Sequence, residues 1–247
     1  MVGVAGGATR AAITQHQDRQ NNISDVSAKD GSQETLVNLS ALLVNLAILP
    51  LIAEDPLITW TLFFVMTFLH LFANFKGVKS LKFETLNRER LLIVLRELFF
   101  ASNVISVDEA NEKESVLLGF GLEEKSILGK RIKFGCSFES AMERFGHDPR
   151  IINNLIKKIQ SEKYAVFGGK ENINHEEEEV VNVIFADDVT KEEEFRAFLD
   201  AALIARFGED NSKSSDEILD LLRKNGYRTD FFQASTLGFS GSFKKMI

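Results

Sequence analysis

Residues 35–75 read TLVNLSALLVNLAILPLIAEDPLITWTLFFVMTFLHLFANF, two apolar runs on either side of the turn Glu54-Asp55-Pro56. The runs, 36–53 and 57–75, hold 18 and 19 residues and no acidic or basic side chain. As helices they reach roughly 27 to 29 Å, close to the thickness of a bilayer's hydrocarbon core. The first run contains eleven Leu, Ile or Val residues, each favouring insertion by about 0.3 to 0.6 kcal/mol near the centre of a span. Only Asn38, Ser40 and Asn45 oppose them. A soluble bundle helix keeps a polar face for water, whereas here apolar side chains surround the cylinder apart from one narrow line. The expected fold is a mainly α membrane hairpin of two transmembrane helices followed by a soluble α+β domain. The alternatives are a buried hairpin of a soluble all-α protein and, because the second run is shorter in its strictly apolar part, a hairpin that enters the bilayer without crossing it.

Outward from the hairpin, the chain divides into a polar, small-residue helical lead-in (1–35), the hairpin (36–75), a basic amphipathic helix with a connector (76–124) and an acidic α+β domain (125–247). Residues 1–104 carry 9 basic and 9 acidic side chains and residues 105–247 carry 20 and 27, so the net charge of −7 lies in the C-terminal part. That acidity argues against a nucleic-acid partner. The single cysteine, Cys136, excludes an internal disulfide and a cysteine-rich zinc site. Arg10, Arg19 and Lys29 precede the first run and Lys76, Lys79, Lys82, Arg88, Arg90 and Arg96 follow the second, while the turn holds only acids. By the positive-inside rule an integral membrane protein is expected, with both ends on the cytosol-like side. No cleavable leader is read in the first 35 residues, and GGATRAA looks like the interior of a longer chain. Asn22-Ile23-Ser24 matches a glycosylation acceptor pattern.

Residues 84–101 have helical spacing, with basic residues beside Leu, Ile and Phe. They fit either a helix lying on the membrane surface or one packed on the next domain. In the C-terminal part Ser137 can cap a short helix bearing Phe138, Ala141, Met142 and Phe145, and Asp148-Pro149 opens a second one. Strands are expected at 163–167 and 180–185, with a polar loop between them, and at 229–239. Thr190 and Glu193 form a capping box that opens a helix with an apolar stripe of Phe195, Phe198, Leu199, Ala202 and Leu203. Ser214 starts a shorter helix ended by Gly226. Each helix has its own start signal, so 125–247 is expected to fold independently.

The chain shows no P-loop, HExxH, GxSxG, Cys/His nucleophile pattern or dinucleotide fingerprint, so neither an enzyme nor a cofactor or metal site is expected. His175 with the four following glutamates reads as a solvated acidic loop. What remains is the polar line of the hairpin. With the turn centred near Asp55, Glu34 falls opposite Lys76, Asn38 near Asn74, and Ser40 level with His70. Lys29, Asp30, Gln33, Glu34, Asn38, His70, Asn74 and Lys76 thus form one candidate polar cluster at the positive-side mouth. Such groups must find partners in lipid. They serve either as glue between the helices or as the polar lining of a substrate or ion path.

These residues carry a resemblance. GGATRAAITQHQDRQNNISDVSAKDGSQETLVNL (6–39), HLFANFKGVKSL (70–81) and TLNRERL (85–91), in order and at family-like spacing, resemble the root UVB-sensitive (RUS) protein family. The resemblance implies a eukaryotic membrane or membrane-associated protein, without established catalytic residues, whose usual N-terminal half lies outside this chain. Plant members are associated with ultraviolet-B responses, root and seedling development, vitamin B6 homeostasis and auxin transport. DVSAKDGSQETLVNL and LPLIAEDP resemble the non-plant members more than the plastid type. The expected function is a membrane-anchored regulatory or scaffolding protein, its partners the lipid bilayer and proteins bound by the C-terminal domain. The alternative is a component of a small-molecule transporter, for vitamin B6 or auxin-related solutes, that uses the polar hairpin.

Overall fold

The computed structural model describes residues 7, 10, 11, 13, 14, 16, 18, 22–52, 55–116, 121–138, 149–173, 176–209 and 214–233. The chain separates into two compact units, Met1–Val78 and Lys79–Ile247.

The first unit is built on two long apolar helices, α1 (Ile23–Ile52) and α2 (Pro56–Ser80). Their 30 and 25 residues correspond to about 45 and 37 Å. Helix α1 begins thirteen residues before the apolar run, so the polar segment that was expected as lead-in continues the same helix. Pro50 lacks the N–H that would bond the Leu46 carbonyl, and α1 ends two residues later. Asp55 starts α2: its Oδ1 accepts from the backbone N–H of Leu57 at 2.8 Å and of Ile58 at 3.3 Å, with Pro56 at the first helical position. Both helices are long and apolar enough to cross a membrane. No described residue of α2 is buried.

The second unit is α+β. Its elements are β1 (Thr85–Asn87), α3 (Arg88–Ala101), α4 (Val107–Lys113), α5 (Glu124–Leu128), β2 (Arg131–Phe134), α6 (Pro149–Glu162), β3 (Tyr164–Ile173), β4 (Glu176–Phe185), α7 (Lys191–Phe207), α8 (Ser215–Lys224) and β5 (Arg228–Gln233). One sheet has the order β2-β4-β3, with β2 parallel and β3 antiparallel to β4; a second pairs β1 with β5 in parallel. Along β4 the side chains alternate: Val181 and Val183 join the core around α7, whereas Ile184 joins Leu155, Ile159, Ala165 and Phe167 under α6. The sheet is therefore covered on both faces.

Helix α7 is the centre of this unit. Its capping box is formed, Thr190 accepting from the Glu193 N–H while Glu193 accepts from the Thr190 N–H. The expected stripe Phe195, Phe198, Leu199, Ala202 and Leu203 is buried, and so are Ala197, Ala201 and Ala205 on the flanks, so neighbours close on α7 from more than one side. Phe198 stacks on Phe134 of β2 at 5.5 Å, and Phe195 on Phe232 of β5 at 4.8 Å.

Of the two placements open for residues 84–101, the packed one is found: Arg90, Leu91, Leu92, Ile93, Val94 and Leu95 of α3 are buried, in one core with α7. Residues expected as a basic amphipathic helix with a connector thus supply the middle of the core, and the C-terminal unit extends back to Lys79. Strands β3 and β4 run beyond the expected 163–167 and 180–185, and their paired registers reach Ile173 and Glu176 where a polar loop was expected. Lys170–Glu177, Lys130–Glu179 and Lys125–Glu178 ion pairs at 2.9, 2.9 and 3.0 Å offset the acidic run, which lets it stay in a strand. The helix expected after Ser137, apart from Phe138, and the strand residues 234–239 lie outside the described residues, as does His175.

Candidate functional site

In α1 the two carboxylates of the expected cluster, Asp30 and Glu34, are four residues apart and share one face. Both are held by one guanidinium, that of Arg10, through its Nε and Nη1. The hydrogen bonds to Glu34 and then Asp30 raise the Arg10 pKa above its ordinary value. Arg10 lies twenty residues before Asp30 in the sequence, and the acid pair signals a nearby cation without saying which one. Lys29 and Gln33 are exposed on the same stretch of helix.

Most of the remaining polar groups of the hairpin are satisfied inside their own helix. Ser32, Thr35, Ser40 and Thr61 donate to the carbonyls of Ala28, Gly31, Leu36 and Leu57, four residues back, at 2.7–2.9 Å. Asn74 Nδ2 lies 3.0 Å from His70 Nε2 on the same helix, and with the amide donating, the imidazole proton sits on Nδ1. The Lys76 ammonium lies over the Phe72 ring at 5.9 Å from its centre. Among the described residues no ion pair joins Glu34 to Lys76, and no hydrogen bond joins Asn38 to Asn74. A cleft of about 290 Å³ lies beside Arg10, lined by Gly7, Ala11, Thr14, Ile23 and Ser27 as well.

TLNRERL has a different role. Asn87 caps α3 by accepting from the Arg90 N–H at 2.7 Å and donates from Nδ2 to Glu114 at 2.5 Å. Arg90, 5% exposed at its side chain, reaches Glu114 through Nε at 3.0 Å and Nη2, and the Thr85 carbonyl through Nη1. Arg88 binds Glu124, and Glu89 accepts from the Ser115 N–H at 3.2 Å. Lys79 donates to the carbonyls of Glu112 and Glu114 at 2.7 and 2.6 Å. The polar residues of this block therefore tie the segments around 79–85, 112–115 and 124 to the start of α3. These bonds hold the unit together.

A second cleft, of about 270 Å³, lies between α6, β3 and α7, with Lys158, Glu162, Tyr164, Asp200 and Glu209 at its rim and Val166, Leu203 and Ile204 as apolar lining. The Tyr164 hydroxyl donates to Asp200 at 2.6 Å, and burial, then this carboxylate, push its pKa well above the ordinary tyrosine value. Cys136 Sγ donates to Asn182 Oδ1 at 3.1 Å. Among the described residues no group of three or more His, Cys, Asp or Glu side chains converges as a metal site.

Comparison with known proteins gives two adjoining matches. The vitamin B6 photo-protection and homoeostasis domain covers residues 1–102, and the C-terminal domain of root UVB sensitive protein covers 103–233. Protein root UVB sensitive 3 of Arabidopsis thaliana is 29% identical over 244 residues, spanning 92% of this chain and 53% of its own length. RUS family member 1 of Dictyostelium discoideum is 38% identical over 130 residues, 51% of this chain and 24% of its own. Protein root UVB sensitive 5 of Arabidopsis thaliana is 24% identical over 241 residues, 92% and 44% respectively. The chain thus spans about half the length, or less, of the curated relatives it matches. No solved structure matches it.

Proposed function

Because this chain belongs to the root UVB-sensitive protein family, we propose that it is a non-enzymatic, membrane-anchored protein of regulatory or scaffolding type, with α1 and α2 in the bilayer and the acidic α+β unit as its protein-binding part. The observation that carries this reading is the exposure of α2: Leu57, Trp60, Phe63, Phe64, Phe68, Leu71 and Phe72 are each more than half exposed. A core helix of a water-soluble protein would bury such side chains, whereas lipid accepts them. Hydroxyl and amide groups bonded back within their own helices add support, since groups in hydrocarbon need an internal partner.

A second reading is favoured by the Arg10–Asp30–Glu34 ion pairs together with Lys29, Gln33, Asn38, His70, Asn74 and Lys76. In this reading charged and amide groups at the end of the apolar helices line a small-molecule path. The name of the N-terminal domain family, vitamin B6 photo-protection and homoeostasis, makes B6 vitamers the first solutes to try.

One experiment addresses both readings. In microsomes the chain is expected to resist carbonate extraction and to leave Asn22 unglycosylated, with both helix ends on the cytosol-like side. Full release by carbonate would refute the anchor, and a glycan on Asn22 would refute the orientation. Uptake of B6 vitamers that rises with the protein and is lost in Asp30→Asn with Glu34→Gln would establish the path instead of the scaffold.

A further inference from the structure

Of the described residues after Val78, three large hydrophobic side chains are exposed: Phe100, Phe207 and Leu221, at 59%, 42% and 40%. The two phenylalanines belong to one corner. Helix α3 ends at Ala101, with Ser102 turned into the left-handed conformation, and α7 ends at Phe207. There Phe99, half-buried against the core, meets Phe207 edge to face at 5.2 Å, and the Arg206 guanidinium lies over Phe100 at 4.5 Å. Arg96, one turn before Phe100 on α3, is exposed.

Over residues 96–101 of α3 and 204–207 of α7 the charged side chains are Arg96, Glu97 and Arg206. Glu97 is occupied by Lys113 at 2.8 Å, and Glu209 lines the separate cleft beside Tyr164. Arg206 lies over Phe100, and Arg96 precedes Phe100 by one turn on the same helix. The unit as a whole is acidic, with 25 basic and 30 acidic side chains in residues 79–247.

We propose that this corner is a membrane-contact patch: Phe100 and Phe207 enter the headgroup region of a bilayer, and Arg96 and Arg206 bind the phosphates of anionic lipids. Exposed aromatic rings flanked by arginines match the two demands of an interfacial anchor, apolar insertion and attraction to a negative surface. An anionic surface repels the acidic remainder of the unit and so selects this corner. The patch needs only a chain located at a bilayer and does not depend on how α1 and α2 cross it.

The test is site-directed spin labelling of the full chain in vesicles, using Cys136→Ser with Phe100→Cys, Phe207→Cys, Leu221→Cys or Phe64→Cys, one label at a time. In phosphatidylcholine vesicles containing phosphatidylserine, labels at 100 and 207 are expected to be accessible to oxygen and shielded from a water-soluble nickel reagent. The label at 221 is expected to be open to nickel. Omitting phosphatidylserine, or adding Arg96→Gln with Arg206→Gln, is expected to return 100 and 207 to water. Each of these two positions reports on the corner if the other variant does not fold. Nickel access at both in anionic vesicles overturns the proposal, and so does exclusion of both reagents, which would mean that protein covers the corner. Position 64 separates the two readings: oxygen access there with nickel access at both 100 and 207 refutes the patch alone, whereas nickel access at 64 refutes the hairpin anchor.

Discussion

Arg90 shows how little a residue's type says about its task. Among six basic residues following the hairpin it looked like one more positive-inside charge, yet its side chain is 5% exposed and bonded to Glu114, itself 18% exposed. Removing one partner of a buried pair leaves the other charge desolvated, at a cost of about 3 to 5 kcal/mol, against a typical domain stability of about 5 to 15. Arg90→Met is therefore expected to lower the urea midpoint of the C-terminal unit sharply, and Arg90→Met with Glu114→Leu to recover part of the loss. Equal midpoints for Arg90→Met and wild type would show that the pair does not hold the unit. At the other end of the chain the acid pair Asp30 and Glu34 was legible as a candidate. Its partner was not: Lys76 is level with Glu34 on a straight hairpin, but Arg10 takes both carboxylates. Spacing along one helix constrains neighbours on that helix, and it says nothing about which distant segment comes to lie on it.

Elements are tied to one another by two tyrosines. Tyr164 of β3 donates to Asp200 of α7, and Tyr227, just before β5, donates to the carbonyls of Ile105 and Ser106 at 2.9 and 3.0 Å, where α4 begins. Burial first raises both pKa values above the ordinary 10.0; the Asp200 bond adds to the shift of Tyr164, while at Tyr227 the Arg90 charge opposes it and the Glu109 charge adds to it. Above pH 10 the unfolded chain loses these protons and the folded chain keeps them. The stabilisation is fully present below that pH and declines as pH rises beyond it. Urea midpoints are expected to fall between about pH 10 and 11, with a shallower fall in Tyr164→Phe with Tyr227→Phe; an unchanged slope would show that neither hydroxyl is linked to folding. The starts of α7 and α8 were legible because caps are local: Thr190 and Ser214 each bond backbone N–H groups within three residues. The facing ends of β3 and β4 were read too short, since the lysines that pair with Glu177, Glu178 and Glu179 come from β3, α5 and the segment before β2. Strands β1 and β2, of three and four residues, carry no periodicity long enough to detect.

For the whole molecule the division after Val78 has a direct consequence. Leu86, Leu91, Leu92, Val94 and Leu95 share one core with Phe195, Phe198 and Phe232. A fragment of residues 79–233 is expected to give a single cooperative melt, and a fragment of 125–233, which lacks those side chains, to give none. A cooperative melt of the shorter fragment would restore the boundary near 124. The sequence by itself determined the two apolar helices, the family and the acidic α+β character of the C-terminal part, because run length, motif order and charge are properties of the chain read in one dimension. Only the tertiary structure decided that TLNRERL is spent on internal anchoring, that α3 enters the core rather than remaining an amphipathic surface helix, and that Arg10 closes on Asp30 and Glu34. Each of these depends on contacts between residues some twenty to more than a hundred positions apart, and an amphipathic or charged segment is equally compatible with lipid, water or protein until the facing surface exists.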